Sequence, residues 1–161
     1  MILVTVGTNG PPFDRLLQEI EGLGRDEEIV VQHGPSRVRP AGASCVDYLS
    51  FEELSRYVQA ARVVVTHAGA GCVLLALAHG HRPLMVPRRQ SFNEAVDDHQ
   101  VVFGRRLDRE GIAACVDDPR NLCEAIRNAS EIERTHHPKV SPTGALAQEI
   151  GQYLRSVCNA A

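Results

Sequence analysis

Val63-Val64-Val65-Thr66-His67-Ala68-Gly69-Ala70-Gly71-Cys72 is the stretch on which the reading of the fold turns. Three β-branched residues end in a polar, glycine-spaced loop, and the loop runs into an apolar segment, residues 73–78. That order predicts a strand, a tight turn and the start of a buried helix. Glycines let a backbone approach a ligand with no Cβ in the way, and the N–H groups that open the next helix favour an anion, a phosphate above all. The 67–72 loop is therefore a candidate seat for a nucleotide diphosphate. A plain strand-to-helix turn is the other reading of the same glycines.

The chain on either side alternates in the same manner. Ile2-Leu3-Val4-Thr5-Val6 predicts a strand buried on both faces, and Gly7-Thr8-Asn9-Gly10-Pro11-Pro12 the loop after it. Pro12 suits a first helical turn, Phe13, Leu16, Leu17 and Ile20 recur at helical spacing, and Gly22 and Gly24 stop the helix. Ile29-Val30-Val31 gives a second strand ending at His33, and Cys45-Val46 a short third. Ser50 with Glu53 is a capping-box pattern, opening a helix with Leu54, Tyr57, Val58 and Ala61 as its buried stripe. The helix after the 67–72 loop runs to His79, where Gly80 stops it. A fifth strand is expected over 83–87, a polar loop over 88–92, and a long helix over 94–107 with Val96, Val101, Val102, Phe103 and Leu107 as apolar positions. A sixth strand follows at 112–116, a helix at 119–129, an exposed loop at 130–142 and a last helix at 143–157.

Alternating strands and helices predict one α/β domain over residues 1–161, a Rossmann-like, doubly wound parallel sheet of six strands. Right-handed crossovers favour the strand order 3-2-1-4-5-6. In that order the direction of winding switches between the first and fourth strands, and ligands bind outside the carboxyl ends there. Those ends are Gly7-Thr8 and the 67–72 loop, so both glycine-bearing loops converge on one crevice.

Composition narrows the function. The chain has 161 residues, enough for a proper core at 43% apolar content. A net charge of −3 and the absence of Trp give no sign of a nucleic-acid surface. Five cysteines without a CxxC pair read as reduced cytosolic thiols, small core residues apart from Cys72. No signal peptide or membrane span is recognisable, so a cytoplasmic protein is expected. His136-His137 has no Cys or carboxylate partner at ligand spacing and is read as loop. Arg88 and Arg89 are read either as meeting phosphate or an anionic partner, or as a solvated loop.

A dinucleotide domain needs GxGxxG after its first strand and an acidic residue ending the second. This chain has Gly7-Thr8-Asn9-Gly10-Pro11-Pro12 and His33, and it has no GxxxxGK[ST]. Val4-Thr5-Val6-Gly7-Thr8 with Pro12-Phe13-Asp14-Arg15-Leu16, His67-Ala68-Gly69-Ala70-Gly71, Pro83-Leu84-Met85-Val86-Pro87-Arg88, and Asn93-Glu94 through Asp97-Asp98-His99-Gln100 instead resemble the C-terminal domain of MurG-type GT-B glycosyltransferases. The resemblance covers roughly residues 1–116 and is strongest toward stand-alone versions: the small subunit of the N-glycan UDP-GlcNAc transferase and PssE-type exopolysaccharide subunits.

The resemblance implies a UDP-sugar donor site. Gly7 and Thr8 would border the diphosphate, His67, Ala68, Gly69, Ala70, Gly71 and Cys72 would donate to it, and Asp98, His99 and Gln100 would face the sugar hydroxyls. No metal is expected, the helix N-terminus aiding departure of UDP. No catalytic base is assigned, with His67 and His99 as candidates. Two positions depart from the pattern: Cys72 stands where relatives usually carry Thr, and Leu75 where a Glu grips the ribose.

A GT-B enzyme closes two such domains around its substrates, and only one fits in this chain. The expectation is the donor-binding subunit of a split, inverting UDP-sugar glycosyltransferase, using UDP-GlcNAc or a UDP-hexose or -uronate. A membrane-associated partner subunit would present a lipid-linked acceptor and recruit the chain to the cytoplasmic face of a membrane. No nucleic-acid partner is expected, and self-association in isolation is left open. A non-catalytic nucleotide-sugar-binding or regulatory subunit is the alternative.

Overall fold

The computed structural model describes residues 1–23 and 27–132. The helix expected at 143–157 and the His136-His137 stretch lie outside the described residues. Six parallel strands form one sheet: β1 (Ile2–Thr5), β2 (Ile29–Gln32), β3 (Ser44–Val46), β4 (Val63–Thr66), β5 (Leu84–Met85) and β6 (Ala114–Cys115). Their order is β3-β2-β1-β4-β5-β6, the order expected from the sequence. Registers run Ile2 to Ile29 and Ile2 to Val63, so β1 and β4 end level at Thr5 and Thr66.

Among the described residues five helices cover the sheet: α1 (Asp14–Ile20), α2 (Phe51–Ala60), α3 (Ala70–Ala78), α4 (His99–Arg109) and α5 (Leu122–Ile132). Strand side chains alternate between faces. Ile2, Val4, Val63 and Val65 meet Leu16, Leu17 and Ile20 of α1 and Leu122 and Ile126 of α5. Leu3, Val30 and Val64 meet Val58 of α2 and Ala76 of α3. Met85 packs with Val73 and Leu77 of α3 and Phe103 and Leu107 of α4. Each fully buried Val or Leu contributes about 1.5–3 kcal/mol, which is why short strands suffice. Ser50 and Glu53 form the expected capping box at α2.

The expected boundaries need correction around α4. It begins at His99, five residues later than the sequence suggested. Residues Gln90–Phe92 form a 3₁₀ turn that ends at Asn93 in the left-handed conformation. Asp98 Oδ1 accepts from the Gln90 N–H at 2.9 Å and Asp97 Oδ1 from the His99 N–H at 3.0 Å, so both aspartates close turns rather than extend a helix. Val96 is accordingly 82% exposed, and Val102 lies on the outer face of α4. Pro119 opens another 3₁₀ turn, Pro119–Asn121, and α5 continues through residues 130–132, read above as loop.

Candidate functional site

The site is assembled at the carboxyl edge of the sheet, where winding reverses between β1 and β4. Beyond β1 the chain turns at Gly7, whose φ of +80° strains any other residue. Beyond β4 the turn is made by Ala68 at φ +62°, while Gly69 is extended and serves as the N-cap of α3. In the 67–72 loop the left-handed residue is thus Ala68 and not Gly69 or Gly71. For a residue with a Cβ this conformation costs about 1–2 kcal/mol. Ala68 is buried among Val73, Phe103 and Leu107, which hold it there.

The His67 imidazole fills the seam between the two loops. A Cβ on Gly7 would lie 2.9 Å from its Cε1, and a Cβ on Gly69 would lie 2.3 Å from its Nε2. Gly69 is therefore dictated by a side chain of its own loop, not by a ligand. Gly71 differs, since a Cβ there would have nothing within 4 Å. His67 Nδ1 lies 3.4 Å from the Thr5 carbonyl, and because that oxygen only accepts, Nδ1 carries the proton. Burial, and secondarily the Arg88 charge, pull the His67 pKa down to about 4, so the ring is neutral at pH 7.

Gln32, which sequence reasoning missed, ties the crevice to the sheet. Its Oε1 accepts from Thr5 Oγ1 at 2.7 Å and from the Gly7 N–H at 3.1 Å, and its Nε2 donates to the carbonyls of Gly7 and Asp47. An amide ending an otherwise apolar buried strand was the available signal. Of the readings offered for Arg88, the solvated loop does not hold. The side chain is buried, donates to the carbonyls of Val6, Pro11 and Glu94, and stacks 5.1 Å over the Phe13 ring. Glu94, also buried, takes two bonds from Arg15, each at 2.8 Å, and one from the Arg89 N–H.

Gly7 lies against the His67 ring of the loop that continues through Ala68, Gly69, Ala70, Gly71 and Cys72, and Thr8 follows Gly7 in the loop after β1. α3 has no side-chain cap, and its first intrahelical bond is Val73 N–H to the Gly69 carbonyl. The N–H groups of Ala70, Gly71 and Cys72 therefore have no partner inside the helix and lie at the positive end of its dipole. The Cys72 thiol lies 3.9 Å from Thr5 Oγ1, and burial raises its pKa, keeping it neutral. The other described cysteines, Cys45, Cys115 and Cys123, are half-buried, and Cys45 and Cys115 pack against the edge of the core.

The 98–100 segment is tied down more than its sequence suggested. Gln100 Oε1 accepts from the Arg88 N–H at 3.1 Å, linking α4 to the crevice through Arg88. Asp98 bonds the Gln90 N–H, and His99 Nδ1 bonds Asp97. Leu75 packs half-buried against the apolar cluster that holds Leu3, Val30 and Val64. A separate groove of about 410 Å³ opens beside Phe92, but its Arg15, Arg89 and Arg120 are each paired with a carboxylate. Among the described residues there is no cluster of His, Cys, Asp or Glu able to hold a metal, and no helix long and apolar enough to cross a membrane.

The family model described as the glycosyltransferase family 28 C-terminal domain matches residues 1–146. The chain belongs to this family. The family 28 domain is 32% identical over 124 residues to the human UDP-N-acetylglucosamine transferase subunit ALG13, an alignment that covers 68% of this chain and 10% of that protein. It thus spans about a tenth of that relative's length. Two solved structures share its fold. CalG4, the calicheamicin glycosyltransferase, superposes with a TM-score of 0.58 at 19% identity, over 97% of this chain and 43% of that one. MurG of Acinetobacter baumannii gives 0.55 at 18% identity, over 96% of this chain and 49% of that one. The family 28 domain is therefore a GT-B C-terminal domain in fold.

Proposed function

We propose that this chain is the donor-binding half of a split, inverting glycosyltransferase that takes its sugar from a UDP-sugar. The observation that carries the reading is the convergence of Gly7-Thr8 with the uncapped N-terminus of α3 at the switch point of the sheet. The N–H groups of Ala70, Gly71 and Cys72 would take the diphosphate, and would stabilise the charge that develops as UDP leaves. Asp98, His99 and Gln100 would meet the sugar hydroxyls, with the oxygens of Asp98 and the Gln100 amide as the groups able to read them. No metal is required by this scheme. Of the two candidate bases, His99, bonded to Asp97, would serve, while His67, held at Thr5, would meet the diphosphate.

ALG13 is named as a subunit, and the solved GT-B chains are about twice as long as the matched domain. Both support a second chain that supplies the acceptor side; in this reading that chain associates with a membrane and presents a lipid-linked acceptor. The test is co-purification with such a partner, followed by transfer from a panel of UDP-sugars. Transfer by the complex, and by neither chain alone, is the expected result. UDP binding without transfer by the complex would overturn the catalytic reading. One observation favours a nucleotide-sugar-binding subunit without catalysis: Leu75 packs into the apolar cluster at the position where the resemblance places a ribose-gripping carboxylate.

A further inference from the structure

We propose that His67 takes up a proton when a nucleotide diphosphate binds, so that donor binding and protonation of this ring are one event. The inference rests on the donor-site reading above and goes beyond it, because it assigns a change of charge to one atom. The ring lies where the two loops meet, against Gly7 on one side and Gly69 on the other. Its Nδ1–H is committed to the Thr5 carbonyl, so in the neutral ring Nε2 carries a lone pair. A lone pair facing phosphate oxygens is repulsive, whereas an Nε2–H donates to them. Protonation turns the ring into a bridge from Thr5 to the diphosphate without moving it.

The surroundings explain why the proton is absent until an anion arrives. From the loop after β5, the Arg88 guanidinium acts on the ring and disfavours a second positive charge. The α3 side presents the Cys72 thiol, which burial keeps neutral. From β1 the ring meets the Thr5 carbonyl. At the end of β2, His33 bonds the Gly34 carbonyl through Nδ1, and from α4 uncharged Gln100 reaches the Arg88 N–H while Asp97 is engaged by His99. Glu94 is already paired with Arg15. These groups leave the ring without a carboxylate of its own. A bound diphosphate supplies the missing negative charge and raises the titration point of His67 from about 4.

The sign follows from linkage: a ligand that raises a group's pKa binds more tightly as pH falls toward the ligand-free value. For one proton the ceiling is a tenfold gain in affinity for each pH unit lost between the bound and free titration points. The probe is UDP-GlcNAc, whose two phosphates are both esterified and so bring no titrating proton of their own. Calorimetry of the full chain at about pH 5.5, in two buffers of different ionisation enthalpy, counts protons taken up on binding. The expected result is uptake of half a proton or more, falling toward zero at about pH 8 and absent in His67→Gln. As a readout that needs no variant, the His67 ring resonances should move from neutral to charged positions on addition of UDP-GlcNAc. Binding with no uptake, uptake unchanged in His67→Gln, or a ring that stays neutral in the complex would overturn the inference and leave the donor-site reading standing. Absence of any UDP-GlcNAc binding would overturn both.

Discussion

Alanine at Gly69 and alanine at Gly71 should give opposite results, although the two glycines look equivalent in the sequence. At Gly69 the backbone is ordinary, with φ −71° and ψ 125°, so a methyl group meets no conformational penalty. It does meet the His67 ring, at 2.3 Å from Nε2 and 2.5 Å from Cε1. Real contacts of that kind do not occur, and the ring is pinned on its far side by Gly7. Overpacking of this sort costs about 1–3 kcal/mol. For a chain of 161 residues each kcal/mol lowers Tm by about 2–4 °C. Gly71 lies in the first turn of α3 with open space where its Cβ would be, so alanine there should stabilise by about 0.4–1 kcal/mol through the unfolded chain. The same methyl group would intrude on an anion held by the Ala70–Cys72 N–H groups, weakening UDP binding about tenfold, or ~1.4 kcal/mol. Urea denaturation and calorimetry measure both quantities. In a His67→Ala background the cost of Gly69→Ala should fall below about 0.5 kcal/mol, since the clashing ring is gone. Equal stability of Gly69→Ala and wild type, or a cost that persists without the ring, would refute the assignment of Gly69 to His67.

Arg15→Ala leaves the Glu94 carboxylate, 5% exposed, without its two-bond partner and should destabilise the chain by about 3–5 kcal/mol in urea denaturation; Arg15→Lys should recover only part of this, having no fork to offer. Bonds from Arg62 hold the Glu27 pKa down at about 2, against an ordinary value of 4.5. Its contribution is therefore full above pH 4.5 and lost as pH falls through about 2, so the stability gap between wild type and Glu27→Gln should close over that window in acid titrations. Leu75→Glu puts a carboxylate at the edge of the apolar cluster that holds Leu3, Val30 and Val64 and should cost about 1–3 kcal/mol in stability. A gain in UDP affinity in the same variant is expected from the resemblance; destabilisation with no gain would place the ribose elsewhere.

The strand order was legible because it depends only on which segments are apolar and where helices return the chain. Gly7 and the 67–72 loop could be brought together from that order alone, before any contact was known. What escaped was the filling of the crevice. A glycine spared for a ligand and a glycine spared for a neighbouring ring look alike in sequence, and only the position of the His67 imidazole separates Gly69 from Gly71. Buried polar groups escaped for a similar reason. Gln32, Arg88 and Glu94 each satisfy partners at least five residues away, and most much further, so no local pattern announces them. The start of α4 was misplaced because Asp97 and Asp98 read equally as a solvated helix face and as turn-closing side chains.

The central claim is that a nucleotide diphosphate sits between Gly7-Thr8 and the N-terminus of α3. Titration of UDP into the ¹⁵N-labelled full chain tests it directly, by following backbone amide resonances. The account predicts saturable shifts centred on Gly7, Thr8, Ala70, Gly71 and Cys72, with little change at Asp118 and Arg120 in the groove beside Phe92. Absence of shifts, or shifts centred on that groove, would contradict it.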